Sequence, residues 1–360
     1  MKKYYSDAIL HYYGALRKKI PYLLPRPIGF FFYITGKCNL NCSYCWQRED
    51  EGRKDGWINS TDREMTPEEW VRVVRKLPRL SFLGLSGGEA SLSQSFIPIL
   101  KASQKRGLPV TVNTNGLALR DKPLEAMLKY GVKNISVSID GFAGKHDAGR
   151  NMPGLFDAII EGIERLNAVR DSKNVSLTIK SVLLNDTLGE LKEFHRFCTE
   201  ELKADTLNIS FAKEGNHAQF SLKYTEDIEQ LLSEKSACLY DYEDHDRVIK
   251  TLTDVLSDSS GCDVTLYPCM TKPSQIRSFL KMNGTGVYRP CTLPWALNVA
   301  LPDGQVIPCL SLGLGSLRDN NYDFRRIIAQ SKSPFLHTID AMGESLPKTC
   351  NICCFSKIRK

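Results

Sequence analysis

The sequence predicts an α/β protein of parallel strand-helix units, and three observations carry that expectation. Six short apolar or β-branched runs alternate with stretches of helical periodicity between residues 29 and 212. Polar tracts rich in Cys, Asn, Asp and Gly follow several of these runs, where the loops of such a fold gather ligands. The rhythm breaks after residue 212, and a cysteine-flanked hairpin pattern follows near the C-terminal end.

Taken in order, residues 4–24 space Tyr5, Ile9, Tyr12, Tyr13, Leu16 and Ile20 at helical steps, with Arg17, Lys18 and Lys19 near the end, the pattern of an amphipathic helix. Pro25-Arg26-Pro27 stops it, because proline cannot donate to the preceding turn. Candidate strands follow at 29–35, 81–86, 109–114, 134–139, 175–183 and 206–211. The helices between them are expected at 66–77, 92–106, 121–130, 154–170 and 187–202. The first opens on Thr66-Pro67-Glu68-Glu69, where Thr66 can cap the first turn and Pro67 occupies a position whose N–H needs no partner. Residues 213–288 read as a helical insertion or bridging segment, with polar helical stretches at 225–239 and 244–257 and a loop-rich section around Cys262, Pro268 and Cys269. Beyond Cys291 a small unit is expected, with a hairpin around Pro302-Asp303-Gly304 and a helix near 321–331. The expected divisions are 1–27, 28–212, 213–288 and 289–360, and no internal repeat is visible.

Composition bounds the function. A chain of 360 residues, 42% hydrophobic and 25% charged, can form about two folded domains and is neither a disulfide-stapled miniature nor a disordered segment. The 48 basic and 41 acidic residues leave a net charge of +7 without a basic tract, so nucleic acid is not an expected partner. No run reaches the roughly 18 apolar residues that a bilayer crossing needs, and no signal-peptide pattern opens the chain, so a cytoplasmic location is expected. Twelve cysteines in a reducing compartment point to metal ligation or thiol chemistry rather than to disulfides.

The densest signal is Cys38-Asn39-Leu40-Asn41-Cys42-Ser43-Tyr44-Cys45, directly after the first predicted strand. Three thiolates from one loop can hold three irons of a cubane cluster and leave the fourth open to a substrate or cosubstrate. Structural zinc is the alternative, although zinc sites usually offer paired two-residue spacings or a fourth Cys or His nearby. The spacing resembles the signature of the radical S-adenosylmethionine (radical SAM) superfamily, and the resemblance covers about 28–212. It implies a partial (β/α)6 TIM-like barrel, a [4Fe-4S] cluster on Cys38, Cys42 and Cys45, and S-adenosylmethionine bound to that cluster.

The other motifs stand in the family's order. After the second strand comes Gly87-Gly88-Glu89-Ala90, where the family usually has Gly-Gly-Glu-Pro and where backbone groups would receive the methionyl amine. Ala90 departs from the proline, which loosens the turn without removing its polar groups. The third strand ends in Asn113-Thr114-Asn115-Gly116 and the fourth in Ser138-Ile139-Asp140-Gly141; either tract alone is ordinary turn chemistry, and only their serial order gives them meaning. The resemblance implies a cofactor-binding set of Gly87, Gly88, Glu89, Asn115, Ser138, Asp140 and Arg150, with Ser138 at the ribose and Arg150 as a two-pronged clamp on the methionine carboxylate. His146 reads as a structural cap.

A second cysteine set, Cys291, Cys309, Cys350 and Cys353 with Cys354 adjacent, flanks the hairpin and closes the chain. It resembles the short auxiliary-cluster domain called twitch, related to the longer SPASM domain. Because the longer domain needs further cysteines and the chain stops at Lys360, one auxiliary [4Fe-4S] cluster in a small α+β domain is expected. A tetrahedral zinc fits the same spacing, and whether Cys353 or Cys354 is the ligand stays open. Cys198 and Cys238 read as small buried hydrophobes, as do Cys262 and Cys269, for which metal ligation is the alternative.

The expected activity is that of an oxidoreductase. Reductive cleavage of S-adenosylmethionine yields a 5′-deoxyadenosyl radical that abstracts a substrate hydrogen, and the auxiliary cluster accepts the remaining electron. Dehydrogenation of a small hydroxyl-bearing molecule leads; maturation of a ribosomally made peptide, modification of a lipid, and a non-catalytic metal-binding scaffold are the alternatives. An external electron donor such as flavodoxin or ferredoxin is an expected partner. The N-terminal helix has two meanings, packing onto the barrel or touching an anionic membrane surface.

Overall fold

Phe30 and Phe32 alternate with Phe31 and Tyr33 along Gly29–Tyr33 (β1), and that alternation seats the strand between two different environments. Phe30 and Phe32 are 1% and 0% exposed; Phe32 lies 4.9 Å from the Trp70 ring and Phe30 4.9 Å from Phe324. Phe31 and Tyr33 face the other side, against the cluster of Leu297, Val299 and Leu301. The structure is a computed structural model that describes residues 7–20, 27–45, 63–214, 238–239, 242–259, 261–281, 292–307 and 314–330.

All six expected strands form: β1, Phe82–Ser86 (β2), Val110–Thr114 (β3), Asn134–Ser138 (β4), Ser176–Leu183 (β5) and Thr206–Phe211 (β6), each parallel to its neighbour. Lys213–Glu214 (β7) and Cys238–Leu239 (β8) make a separate short ladder. Asp263–Tyr267 (β9), Leu297–Ala300 (β10), Gln305–Ile307 (β11) and Gly315–Ser316 (β12) complete the strands among the described residues. The main sheet runs β12-β11-β10-β1-β2-β3-β4-β5-β6-β9. On one face Val112, Ile135, Val137, Ile179, Leu207 and Ile209 are closed off in the core with the helices. The opposite, concave face carries Asn113, Ser136, Ser138, Lys180 and Asn208 at the alternate positions. With Tyr33 beside Ser86, Thr114 beside Val137 and Ser138 beside Lys180, the strands finish at one common rim, and their loops gather there.

The helices follow their local chemistry. Pro67–Lys76 (α2) starts on the expected cap: Glu69 N donates to Thr66 Oγ1 at 3.3 Å and Thr66 N donates to Glu69 Oε2 at 2.8 Å. Phe96–Arg106 (α3) begins later than the sequence suggests, because Ala90–Leu92 is a separate 3-10 turn, and it closes on Gly107 at φ 67°. Asp121–Lys129 (α4) and Leu155–Lys173 (α6) match expectation, and between them Ala143–Arg150 (α5) is a further helix that the sequence reading did not assign. The helix expected at 187–202 is two, Asn185–Leu188 (α7) and Leu191–Glu200 (α8), broken at Gly189-Glu190, where Glu190 N donates to Thr187 O at 3.2 Å.

The segment 213–288 is corrected by the structure. The helix at 244–257 is present as His245–Ser257, but Cys238–Leu239 is extended rather than helical, and the rest of 225–239 lies outside the described residues. The section read as loop-rich carries β9 and the helix Pro273–Lys281. Its Asp263-Val-Thr-Leu-Tyr267 run is strand-like, and pairing with β6 extends the sheet beyond six strands. At the other edge, β10 pairs in parallel with β1, β11 returns antiparallel to β10 through the expected Asp303-Gly304 turn, with Gly304 at φ 90°, and β12 pairs antiparallel with β11.

The amphipathic N-terminal helix is present as Asp7–Lys19 (α1) and rests on the 3-10 turn Leu293–Trp295. Arg17 Nη1 donates to Trp295 O at 2.6 Å, Lys18 lies over the Trp295 ring, and a Cβ on Gly14 would fall 2.0 Å from Thr292 O. The side of α1 bearing Gly14, Arg17 and Lys18 is thus taken up by the chain itself. Among the described residues, no helix is long and apolar enough to cross a membrane.

The C-terminal strands are tied to α2 by Arg318, whose Nε and Nη2 bind the two oxygens of Glu69 at 2.8 and 3.0 Å. That hydrogen bonding pulls the Glu69 carboxyl down to about 2 from its ordinary 4.5. A depressed carboxyl contributes stability above its unfolded value and loses it as pH falls through the folded one. The stability difference between wild type and Glu69→Gln, measured by urea unfolding, is therefore expected to be constant above pH 4.5 and to vanish as pH approaches 2.

Candidate functional site

The cysteine loop leaves β1 through Ile34 and Thr35, both fully buried, and it is stitched to the turn after β2. Ile34 N donates to Ser86 O, Gly88 N to Thr35 O and Glu89 N to Lys37 O, at 2.9, 2.9 and 2.7 Å. This explains both glycines. A Cβ on Gly87 would lie 2.7 Å from Thr35 O, and one on Gly88 would lie 2.3 Å from Lys37 O and 2.8 Å from Cys38 Cβ. Close approach of two backbones, not a positive φ, is what this pair permits.

Cys38, Cys42 and Cys45 are half-buried and in no disulfide. Burial pushes the Cys38 thiol up to about 11, with Glu89, Cys42 and Cys45 adding to the rise. Among the described residues no three His, Cys, Asp or Glu side chains converge on one ion.

Glu89 is 1% exposed and accepts four hydrogen bonds: Ser91 N and Oγ on Oε1 at 3.1 and 2.7 Å, Thr114 Oγ1 and Asn115 N on Oε2 at 3.0 and 2.8 Å. Burial raises its pKa even against these donors. Asn115 Nδ2 then donates to Asn39 Oδ1 at 2.8 Å, inside the cysteine loop. Glu89 and Asn115 thereby join the ends of β2 and β3 to the loop between Cys38 and Cys42. Ala90, in place of proline, is fully buried at the start of its 3-10 turn.

The end of β4 supplies the other wall. Asp140, 3% exposed, accepts from Val182 N on Oδ1 at 2.8 Å, and on Oδ2 from Tyr44 OH, Arg150 Nε and Arg150 Nη2 at 2.5, 2.8 and 2.6 Å. Burial alone would raise the Asp140 carboxyl, but the Arg150 guanidinium and the Tyr44 hydroxyl hold it below its ordinary value. Arg150 also stacks its charge on the Tyr44 ring, 5.7 Å from the centroid, and Ser43 N and Oγ donate to Gly149 O. The helix α5 is thus fastened to the cysteine loop at three points. His146 accepts from Asp140 N on Nδ1 at 3.1 Å, which assigns the proton to Nε2, and burial, then Arg150, pulls its pKa down to about 4. It serves as the neutral cap expected of it.

Ser138 sits half-buried on the concave face, opposite Lys180 in the register. Lys180 Nζ crosses the face to Asn113 Oδ1 at 2.7 Å, and Thr178 and Asn134 are joined below it at 2.9 Å. Sequence reasoning missed the roles of Tyr44, Asn39, Thr114 and Lys180; the alternation of 175–183 held the signal for Lys180, and the other three lie inside the cysteine loop and the 113–116 tract, where only their roles went unread. A cavity of 350 Å³ opens beside the cysteine loop, lined by Ser43, Tyr44, Asp140, Lys145, Leu184 and Thr187. The structure therefore brings Cys38, Cys42, Cys45, Gly87, Gly88, Glu89, Asn115, Ser138, Asp140 and Arg150 to one rim. Cys291, Cys309, Cys350, Cys353 and Cys354 lie outside the described residues. Of the remaining cysteines, Cys198 and Cys262 are buried as expected, and Cys269 is exposed, contrary to expectation.

Residues 32–198 match the radical SAM superfamily, and the chain carries a radical SAM domain over that span. It is 29% identical over 175 residues to the sporulation killing factor maturation protein SkfB of Bacillus subtilis, covering 48% of this chain and 39% of that protein. It is also 29% identical over 174 residues to the AdoMet-dependent heme synthase of Methanosarcina barkeri, covering 46% and 48%. The matched segment thus spans about half or less of each of these relatives. Among solved structures, Streptococcus suis SuiB bound to S-adenosylmethionine superposes with a TM-score of 0.63 at 15% identity, over 95% of this chain and 73% of that one. Native anSMEcpe with bound AdoMet gives 0.61 at 15% identity, over 92% and 89%. These structures share the radical SAM fold, a parallel sheet core with antiparallel strands toward the C-terminus.

Proposed function

We propose that this protein is a radical SAM oxidoreductase that oxidises its substrate by hydrogen abstraction and passes the remaining electron to an auxiliary cluster. The observation that carries the reading is the convergence of the three-thiol loop, the Gly87-Gly88-Glu89 turn and the Asp140–Arg150 pair at a single rim above a polar concave face. When bound, the [4Fe-4S] cluster and S-adenosylmethionine supply one-electron cleavage of the sulfonium to methionine and a 5′-deoxyadenosyl radical. Cys38, Cys42 and Cys45 hold the cluster; Gly87 and Gly88 keep the loop against the turn that would receive the methionyl amine.

Arg150 is the proposed clamp for the methionine carboxylate. Asp140 binds its Nε and Nη2 and so fixes the plane of the guanidinium, while Nη1 has no protein partner among the described residues. Ser138 and Asn115 complete the polar wall. Asn113 and Lys180 line the face below, which suits a hydroxyl-bearing substrate. Cys291, Cys309, Cys350 and Cys353 or Cys354 are the proposed ligands of one auxiliary [4Fe-4S] cluster in a twitch-type unit, with flavodoxin or ferredoxin as electron donor. The proposed divisions at 28–212 and 289–360 follow from these two cysteine sets. A peptide substrate is the second reading, supported by the likeness to SkfB, a maturation protein, and to SuiB and anSMEcpe, which have been crystallised with a precursor peptide and the Cp18Cys peptide.

Anaerobically reconstituted protein with a strong reductant is expected to release 5′-deoxyadenosine and to carry about eight irons and eight sulfides per chain. Cys309→Ala is expected to keep that release and to lose product formation. Background release from protein with a filled cluster would overturn the enzyme reading, and about four irons with one zinc would overturn the auxiliary cluster.

A further inference from the structure

Glu64 belongs to no motif, yet its carboxylate lies at the root of the cysteine loop. Its Oε1 accepts from Thr35 Oγ1 at 2.8 Å and from Gly36 N at 2.6 Å, and Thr35 Oγ1 in turn accepts from Lys37 N at 3.1 Å. These residues connect β1 to Cys38, and they are the ones against which Gly87 and Gly88 are pressed. Charge-assisted bonds to a backbone N–H and a hydroxyl fix the direction in which the chain leaves β1, and with it the start of the loop.

Glu64 is held from behind by the C-terminal hairpin. Met65 N donates to Pro302 O at 2.7 Å, and the Met65 sulfur fills the space where a Cβ on Gly304 would fall. Arg318 makes five hydrogen bonds, as many as its guanidinium has N–H groups: to both oxygens of Glu69, to the backbone oxygens of Arg63 and Asp303 at 3.0 and 3.3 Å, and to Glu64 O at 3.0 Å. Lysine, a point charge with three donors, cannot serve five acceptors in these directions. One side chain after β12 thus grips the backbone of residues 63–64, whose own carboxylate grips the approach to Cys38.

We propose that Glu64 is a positioning residue for the cysteine loop and that Arg318 is the latch through which the docked C-terminal hairpin sets it. The rim at the strand ends is then complete only when Pro302, Asp303 and Arg318 are seated, so the C-terminal strands and the radical SAM centre are organised together. This inference deepens the radical SAM reading of the loop and rests on it for its consequence, though not for its geometry.

The test pairs hydrogen exchange of the amides of residues 36–45 in metal-free full-length protein with S-adenosylmethionine binding to the reconstituted cluster, followed by electron paramagnetic resonance. Glu64→Ala and Arg318→Ala are each expected to speed exchange across 36–45 and to weaken cosubstrate binding about ten- to a hundredfold, the range for residues that orient metal ligands. Glu64→Gln, whose amide oxygen still accepts, is expected to recover most of both, and the double variant to be no worse than Glu64→Ala. Thr35→Val, which removes one donor at nearly constant volume, is expected to shift both readouts less, in the same direction, and carries the test should Glu64→Ala fail to fold. Wild-type exchange and binding in Glu64→Ala, or in Thr35→Val where Glu64→Ala does not fold, would overturn the proposal. So would an Arg318→Ala variant that lowers global stability while leaving 36–45 protected as in wild type. If wild type binds no S-adenosylmethionine while the exchange pattern holds, the radical SAM reading fails and the latch stands.

Discussion

Cys42→Ala is expected to abolish 5′-deoxyadenosine release altogether and to remove about four irons and four sulfides per chain. The effect is complete if the three thiols share one cluster as proposed, and Cys42 also helps shape the loop: its carbonyl accepts from Cys45 N at 3.3 Å, and the next residue, Ser43, is bonded to Gly149 in α5. Removing the thiolate leaves two of the proposed ligands, one of them Cys38, whose thiol burial pushes up to about 11. Iron and sulfide analysis alongside product detection checks the expectation. A variant that keeps its full iron content and its cleavage activity would mean that Cys42 is not a ligand.

Arg150→Ala is expected to destabilise the fold by about 3–5 kcal/mol at neutral pH, the usual cost of leaving one half of a buried ion pair without its partner. Asp140 and the Arg150 side chain are both largely withdrawn from solvent, at 3% and 11% exposure. Without the guanidinium, the Asp140 carboxylate keeps only Val182 N and the Tyr44 hydroxyl. In wild type the depressed Asp140 pKa adds stability above the ordinary carboxyl value of 3.8, and that stability is lost as pH falls through the folded value. In the variant, burial pushes the carboxyl up instead, so protonation relieves it and the gap to wild type should narrow on acidification. Urea unfolding across pH, with Asp140→Asn/Arg150→Met as the second arm, tests this. The double variant is expected to be more stable than Arg150→Ala, because no charge is left buried alone. Equal stability of wild type and Arg150→Ala would show that the pair contributes nothing to the fold.

Much of the core was legible in the sequence. The six strands from 29 to 211 announced themselves because each runs through a buried layer, where β-branched and aromatic residues must recur. The Thr66–Glu69 cap was equally legible, since its partners lie three residues apart. Helix α5 was not, because Ala143–Arg150 has little apolar periodicity and takes its place from contacts with Asp140, Tyr44 and Ser43 rather than from its own pattern. Strand β9 was missed for a related reason: it is an edge strand whose partner, β6, lies some fifty residues earlier.

What the sequence determined by itself is the donor chemistry: three cysteines in one short loop, a Gly-Gly-Glu turn, and polar tracts at the ends of successive strands, all set by covalent spacing along a single run of chain. What only the tertiary structure decided is how those groups are held. Gly88 is glycine because Lys37 passes within reach of a Cβ, Arg150 is turned by Asp140, and Glu64, distant from every motif, meets Thr35 and Gly36 beneath the hairpin that Arg318 secures. The physical reason is one of range. A motif records contacts made within a turn or two of backbone, whereas close approach, burial and charge pairing arise between segments that become neighbours only when the sheet assembles.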